Sequence, residues 1–185
     1  MLNEIKKDAQ ARMGKSIESL RHNLVKVRTG RASTGLVDSI RVVAYGSEVP
    51  LSQVASVAVS DARSLVITPW DKTVVGAVEK AILASDLGLT PNTAGTTIRL
   101  NLPPLTEERR KEYVRLVKNK AEDSRNAVRG ARRDARKDLD ALEKDGDISA
   151  DELRRAEGEL DKLTKQHEAA IDEALEAKTV ELLEG

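Results

Sequence analysis

The chain of 185 residues has no cysteine and no phenylalanine, and only Trp70, Tyr45 and Tyr113 are aromatic. Without cysteine there is no disulfide, no thiol nucleophile and no thiolate-bound zinc. That usage fits a reducing cytoplasm. With so few aromatics, a thick globular core loses its usual source of buried area. Aliphatic seams between helices are the expected alternative. Long apolar runs are absent too, so nothing approaches the roughly 20 residues of a membrane span. The charged start, Met1-Leu2-Asn3-Glu4-Ile5-Lys6-Lys7-Asp8, does not read as a signal peptide.

Catalytic hardware is equally scarce. The two histidines are His22 and His167. A histidine base needs a nucleophile, an orienting group and a cleft, and helical seams supply none of these. The ordinary role for His167 is seam packing with one ring nitrogen satisfied. There is no G-x-x-x-x-G-K-[ST] or G-x-G-x-x-G phosphate loop. Asp145-Gly146-Asp147-Ile148-Ser149-Ala150-Asp151-Glu152 is acidic but lacks the ligand order of a calcium loop. It reads as a turn followed by a capped helix start. No catalytic residue, metal or cofactor is expected.

What the chain has is charge, 34% of residues, with a formal net of zero that hides an asymmetry. Residues 106–137 hold 12 basic and 6 acidic side chains, whereas 138–185 hold 6 and 16. A basic block beside an acidic one suggests a face that takes a polyanion and a face that avoids it.

Periodicity divides the chain. Ile5, Ala9, Ser16, Leu20, Leu24 and Val27 recur at helical spacing and predict a helix over 2–29, ended by Gly30. Residues 37–43, 54–59, 65–68 and 96–102 read as strands, with a helix over 73–84 capped near Gly88. A second long helix runs from Thr106 to about Lys144, roughly 60 Å at 1.5 Å per residue. A third starts at the Ser149 capping box. Its seam is Leu153, Ala156, Leu160, Leu163, His167, Ala170, Ala174 and Ala177. The expected fold is α+β. Residues 1–30 and 105–185 form a long three-helix bundle, and 31–104 form an inserted small α+β domain. The two crossings, at Gly30, Arg31, Ala32 and Ser33 and at Pro103, Pro104 and Leu105, would make a hinge.

The candidate binding element lies on the second long helix. Arg125, Arg129, Arg132 and Arg136 are spaced 4, 3, 4 and fall within about 60° of arc, with Lys118 continuing the line. Val128, Ala131, Ala135 and Leu139 sit roughly 90° away. Glu122 is the nearest acid on that face. Arginine forks bind phosphate oxygens bidentately, so a rigid line of them suits structured RNA. Single-strand readout needs aromatic platforms, which are missing here. The competing reading is pairing with the acidic last helix. The offset from the seam predicts that part of the line stays free. The stripe itself does not exclude DNA.

Other motifs point to a family. They are Val27-Arg28-Thr29-Gly30-Arg31-Ala32-Ser33, Tyr45-Gly46 with Pro50-Leu51, and Glu79-Lys80-Ala81-Ile82 through Ser85-Asp86-Leu87-Gly88-Leu89-Thr90-Pro91-Asn92. Gly95, Ile98-Arg99, Leu102-Pro103-Pro104-Leu105-Thr106-Glu107-Glu108-Arg109-Arg110-Lys111, Val128-Arg129 and Arg132-Arg133-Asp134 follow. In this order and spacing the chain resembles bacterial ribosome recycling factors along its length. The resemblance implies a two-domain L shape and a translation factor rather than an enzyme. With elongation factor G and GTP, such a factor splits the post-termination ribosome into subunits. It implies contact with large-subunit ribosomal RNA at the subunit interface through Arg129 and Arg132, with Arg133 as neighbour, and a GTPase acting on the hinge and smaller arm. A cytoplasmic monomer with no membrane contact is expected. Where the family usually has Arg-Asn this chain has Arg129-Gly130, and where it often has proline after Ala-Ser this chain has Thr34. The first should weaken the helix locally and the second should free the hinge slightly. Rival readings are a hibernation or stability factor on the ribosome, a coiled-coil scaffold that binds protein, and a hydrolase or nuclease. Steep weakening of binding by salt would separate an RNA binder from a scaffold.

Overall fold

The computed structural model describes residues 1–184. Four helices are formed: α1 (Leu2–Val25), α2 (Val75–Ala84), α3 (Glu107–Lys144) and α4 (Ala150–Glu184). Six strands lie between α1 and α3: β1 (Arg41–Ala44), β2 (Ser47–Pro50), β3 (Ala55–Asp61), β4 (Ser64–Pro69), β5 (Pro91–Ala94) and β6 (Thr97–Asn101). Chain contacts divide the molecule into two compact units. One comprises Met1–Leu24 with Glu112–Val180, and the other Val25–Lys111 with Glu181–Gly185.

The first unit is a three-helix bundle. The α3 residues Val117, Ala121, Val128, Ala131, Ala135 and Leu139 are buried, as the spacing predicts. Ala9, Met13, Ile17 and Leu20 of α1 and Leu160 and Ile171 of α4 are buried with them. The alanines let helices approach closely, and no aromatic ring is buried in the seam. Thr106 caps α3 by accepting from the Arg109 amide at 3.1 Å, and Ser149 caps α4 by accepting from the Glu152 amide at 3.1 Å. Between these helices Gly146 takes a φ of +79°, a left-handed conformation that ends α3 without a Cβ clash. On α4 the predicted seam shifts. Thr164 and Ile171 are buried while Ala177 is exposed. The Thr164 hydroxyl is satisfied by the Leu160 carbonyl at 2.9 Å, which removes the cost of burying it.

The second unit holds two antiparallel sheets, β1-β2 and β3-β4-β6-β5. Its core joins Val42, Leu65, Ile67, Val78, Ile82, Ile98 and Leu100 in one apolar cluster. Leu36 and Val37 belong to it from a short 3-10 turn at Thr34–Val37, so the strand expected to begin at Val37 begins instead at Arg41. The Ser33 hydroxyl accepts from the Gly35 amide at 3.3 Å and starts that turn. The β1–β2 connection is two residues long, with φ of 53° at Tyr45 and 80° at Gly46, the left-handed pair of a tight hairpin. α2 ends at Ser85 rather than Gly88, because the Ser85 hydroxyl and amide both donate to the Ile82 carbonyl.

α1 stops at Val25, not Thr29. The β-branched Val25, Val27 and Thr29 favour helix weakly. Residues 25–30 are counted with the second unit, in which Val27 and Thr29 are buried. Residues 105–111 and 181–184 are counted there as well, so the compact units are bounded differently from the expected division.

Candidate nucleic-acid interface

α3 is unbroken through Gly130 and presents the arginine line on one face. Its neighbour α4 carries Glu157, Asp161, Glu168 and Asp172 at spacings of 4, 7 and 4. Those acids also fall within about 60° of arc. The two lines run antiparallel and meet. Arg125 Nη2 donates to Asp172 Oδ1 at 2.5 Å, and Arg129 Nε donates to Glu168 Oε1 at 3.2 Å. Arg132 Nη2 lies 2.7 Å from Asp161 Oδ1, and Arg136 Nε lies 3.5 Å from Glu157 Oε1. Glu122 joins from within α3, 3.1 Å from Arg125 Nη1 and 3.8 Å from Arg129 Nη1.

The expectation that part of the arginine line stays free of α4 is therefore corrected. All four members are ion-paired within the molecule. The physical reason is that the stripe, though offset from the seam, points along the edge α3 shares with α4. Long guanidinium side chains span that edge. A sign of this lay in the sequence, since the four acids share one face of α4, but their direction relative to α3 does not follow from spacing. Arg133 is the one member of the predicted set that is exposed and has no ion pair among the described residues.

The four pairs are not equivalent. Arg125 is 21% exposed, and both terminal nitrogens are engaged. The hydrogen bond to Asp172 pushes its pKa up, against the opposing effect of burial, with Glu122 adding to the rise. Arg129, Arg132 and Arg136 are 51%, 38% and 54% exposed. Exposed pairs of that kind are worth about 0–1 kcal/mol and exchange readily with solvent or another anion. On the α1 side, α3 is held differently. Ser124 Oγ donates to the Ser16 carbonyl at 3.1 Å, and Arg12 pairs with Asp134 at 3.0 Å.

The predicted hinge residues all fall inside the second unit. Gly30 is buried, and Leu105 is buried. The Ala32 amide donates to the Ala62 carbonyl at 2.7 Å, the Arg31 amide to Thr29 Oγ1 at 3.3 Å, and the Leu102 amide to the Arg63 carbonyl at 2.7 Å. Arg28 donates to the Pro103 carbonyl. Ser33, Pro103 and Pro104 are exposed. His167 Nδ1 lies 2.7 Å from the Leu163 carbonyl, so that nitrogen carries the proton, and His22 is exposed. Among the described residues no group of three or more His, Cys, Asp or Glu could hold a metal ion, and no helix is long and apolar enough to cross a membrane.

The model of the family described as "Ribosome recycling factor" matches residues 20–183. This chain belongs to the ribosome recycling factor family. Ribosome-recycling factors of Thioalkalivibrio sulfidiphilus and of Pseudomonas putida strain W619 are 56% and 57% identical to it. The first match covers 100% of both chains and the second 99% of both. A solution structure of a ribosome recycling factor superposes with a TM-score of 0.81 at 41% identity, covering 100% of this chain and 98% of that one. A Thermus thermophilus ribosome recycling factor, placed with Escherichia coli elongation factor G in the E. coli post-termination complex, gives 0.70 at 45% identity over 99% of each chain. Ribosome recycling factors are translation factors and not enzymes.

Proposed function

We propose that the chain, with elongation factor G and GTP, dissociates the post-termination ribosome into subunits and returns them for another round of protein synthesis. The observation that carries this reading is full-length identity above one half to ribosome-recycling factors. The likeness to a relative placed with elongation factor G in a post-termination complex supports the choice of partner.

In this reading the bundle lies on large-subunit ribosomal RNA at the subunit interface. Arg129, Arg132, Arg133 and Arg136 make the phosphate contacts. Their exposure, and the weakness of surface ion pairs, support the assignment. Arg125 sits at the margin of the contact because its fork is already filled. Gly30, Arg31, Ala32, Ser33, Pro103, Pro104 and Leu105 act as the hinge on which the GTPase pushes. The free energy comes from that GTPase, so the factor itself needs no active site. It works as a monomer in the cytoplasm.

Light scattering of purified post-termination ribosomes tests the function. Addition of the chain, elongation factor G and GTP should lower the scattering as subunits separate. Omitting either the GTPase or GTP should abolish the change. Splitting that proceeds without them, or its absence with all components present, would refute the reading.

A further inference from the structure

Three of the line's arginines are paired in a way that leaves donors unused. Each guanidinium has five N–H groups. Arg132 meets Asp161 with Nη2 at 2.7 Å, and Arg136 meets Glu157 with Nε at 3.5 Å, one acid each. Arg129 gives Nε to Glu168, with Glu122 more distant on Nη1. Arg125 differs, holding an acid on each terminal nitrogen at the least exposed position of the line. So Arg125 is clamped at both terminal nitrogens, Arg129 is held at Nε with a more distant acid on Nη1, and Arg132 and Arg136 are each tethered to one acid.

A tethered guanidinium has two consequences for a polyanion. Its plane and position are biased in advance, which lowers the ordering cost for an anion that matches the array. The tethering acid also repels phosphate and must be displaced by an anion approaching from any other direction. α4 supplies these tethers in a segment, residues 138–185, with 16 acidic and 6 basic side chains. A matching surface therefore binds beside the acids, and a mismatched one has to break the pairs first.

From this we infer that Glu157, Asp161 and Glu168 of α4 are specificity-determining residues: they preset Arg136, Arg132 and Arg129 for one arrangement of phosphates and suppress binding to generic structured RNA. The inference rests on the reading of the arginine line as an RNA contact. It assigns the acids an active part in selectivity, as positioning residues that never touch the RNA.

The test compares the parent with the triple variant Glu157→Gln, Asp161→Asn, Glu168→Gln. Two probes are used, a labelled RNA duplex of unrelated sequence and purified ribosomes, each over a range of salt. The variant should bind the duplex about tenfold more tightly. Its logarithmic salt slope should steepen by about two to three, since each freed arginine adds close to one released counterion. Ribosome binding should weaken about two- to fivefold, as the preset array is lost. Unchanged duplex affinity and slope would overturn the inference. Equal tightening toward both probes would also overturn it, since the acids would then be competitors without selectivity. Arg132→Gln is run alongside. If it leaves ribosome binding intact, the assignment of the arginine line itself fails. If it weakens binding while the triple variant changes nothing, only the role of the acids fails. Helicity is checked by circular dichroism. If the triple variant melts, Glu168→Gln alone is used, with a slope change of about one.

Discussion

The bundle and the small unit solve the shortage of aromatics in opposite ways. The bundle buries a thin seam with Ala121, Ala131 and Ala135 at close approach and spends its length on charged outer faces. The small unit gathers β-branched and leucine side chains into one thick cluster around Ile67, Ile98 and Leu100. It leaves its two aromatics outside, Tyr45 at 73% and Trp70 at 67% exposure. A rod whose surface is charge and a compact body whose surface carries rings are suited to different contacts. The bundle carries guanidinium groups along its outer face, while the small unit exposes the rings of Tyr45 and Trp70. The lesson is that one composition, poor in aromatics, serves two packings: small alanines on α3 let helices approach along a seam, whereas the small unit fills its centre with larger aliphatic groups.

Cavity formation in the thick cluster should have the largest effect on stability. Ile98→Ala, at a fully buried position, should cost about 2–5 kcal/mol, read by urea denaturation and by loss of amide protection in β4 and β6. If protection there is unchanged, the small unit does not depend on that cluster. Overpacking the seam is the converse experiment. Ala131→Leu, where alanine is 1% exposed, should cost about 1–3 kcal/mol and lower protection along α3. A neutral result would mean the seam has room that alanine does not indicate. A smaller, favourable change is expected at Gly130, where an added Cβ meets nothing within 4 Å. Gly130→Ala should stabilise by about 1 kcal/mol, measured as a raised unfolding midpoint; a drop would show that the helix needs the glycine.

The smallest effect concerns the exposed ring on the small unit. The Tyr45 hydroxyl donates to Asp71 Oδ2 at 2.5 Å. That bond holds the Asp71 carboxyl below its usual range and pushes Tyr45 above its ordinary 10.0. A depressed carboxylate contributes stability above its unfolded pKa and loses it as pH falls through the folded value. For Tyr45, the raised value means the neutral, donating phenol persists to higher pH. Asp71→Asn should therefore shift the ultraviolet titration of Tyr45 downward. A titration that stays put would show the hydrogen bond does not form in solution.

How much of this could be read from the sequence depended on whether burial left a pattern. α3 was legible to within a residue of its start because Thr106 caps it and its apolar positions recur without a break. The long strands β4 and β6 were legible from Leu65, Ile67, Ile98 and Leu100, which alternate inward. β2 and β5 were not anticipated. Ser47, Glu48, Asn92, Thr93 and Ala94 are exposed, so edge strands of this kind carry no apolar alternation to read. The site was half legible. The shared side of α3 held by Arg125, Arg129, Arg132 and Arg136 follows from spacing, whereas Arg133 enters through the family resemblance. Their pairing with α4 does not, because a helical wheel gives an angle around one axis and not the place of the neighbouring axis. The expected hinge positions carry a glycine and two prolines, yet the compact units divide within the adjoining helices.

In the proposed function the α3 arginines hold ribosomal RNA while the GTPase supplies the work. Subunit splitting by Arg132→Gly, followed by light scattering with elongation factor G and GTP and with helicity verified, tests it most directly. Near-complete loss of splitting is expected, with the helical signal largely retained. Splitting at the parent's rate would contradict it.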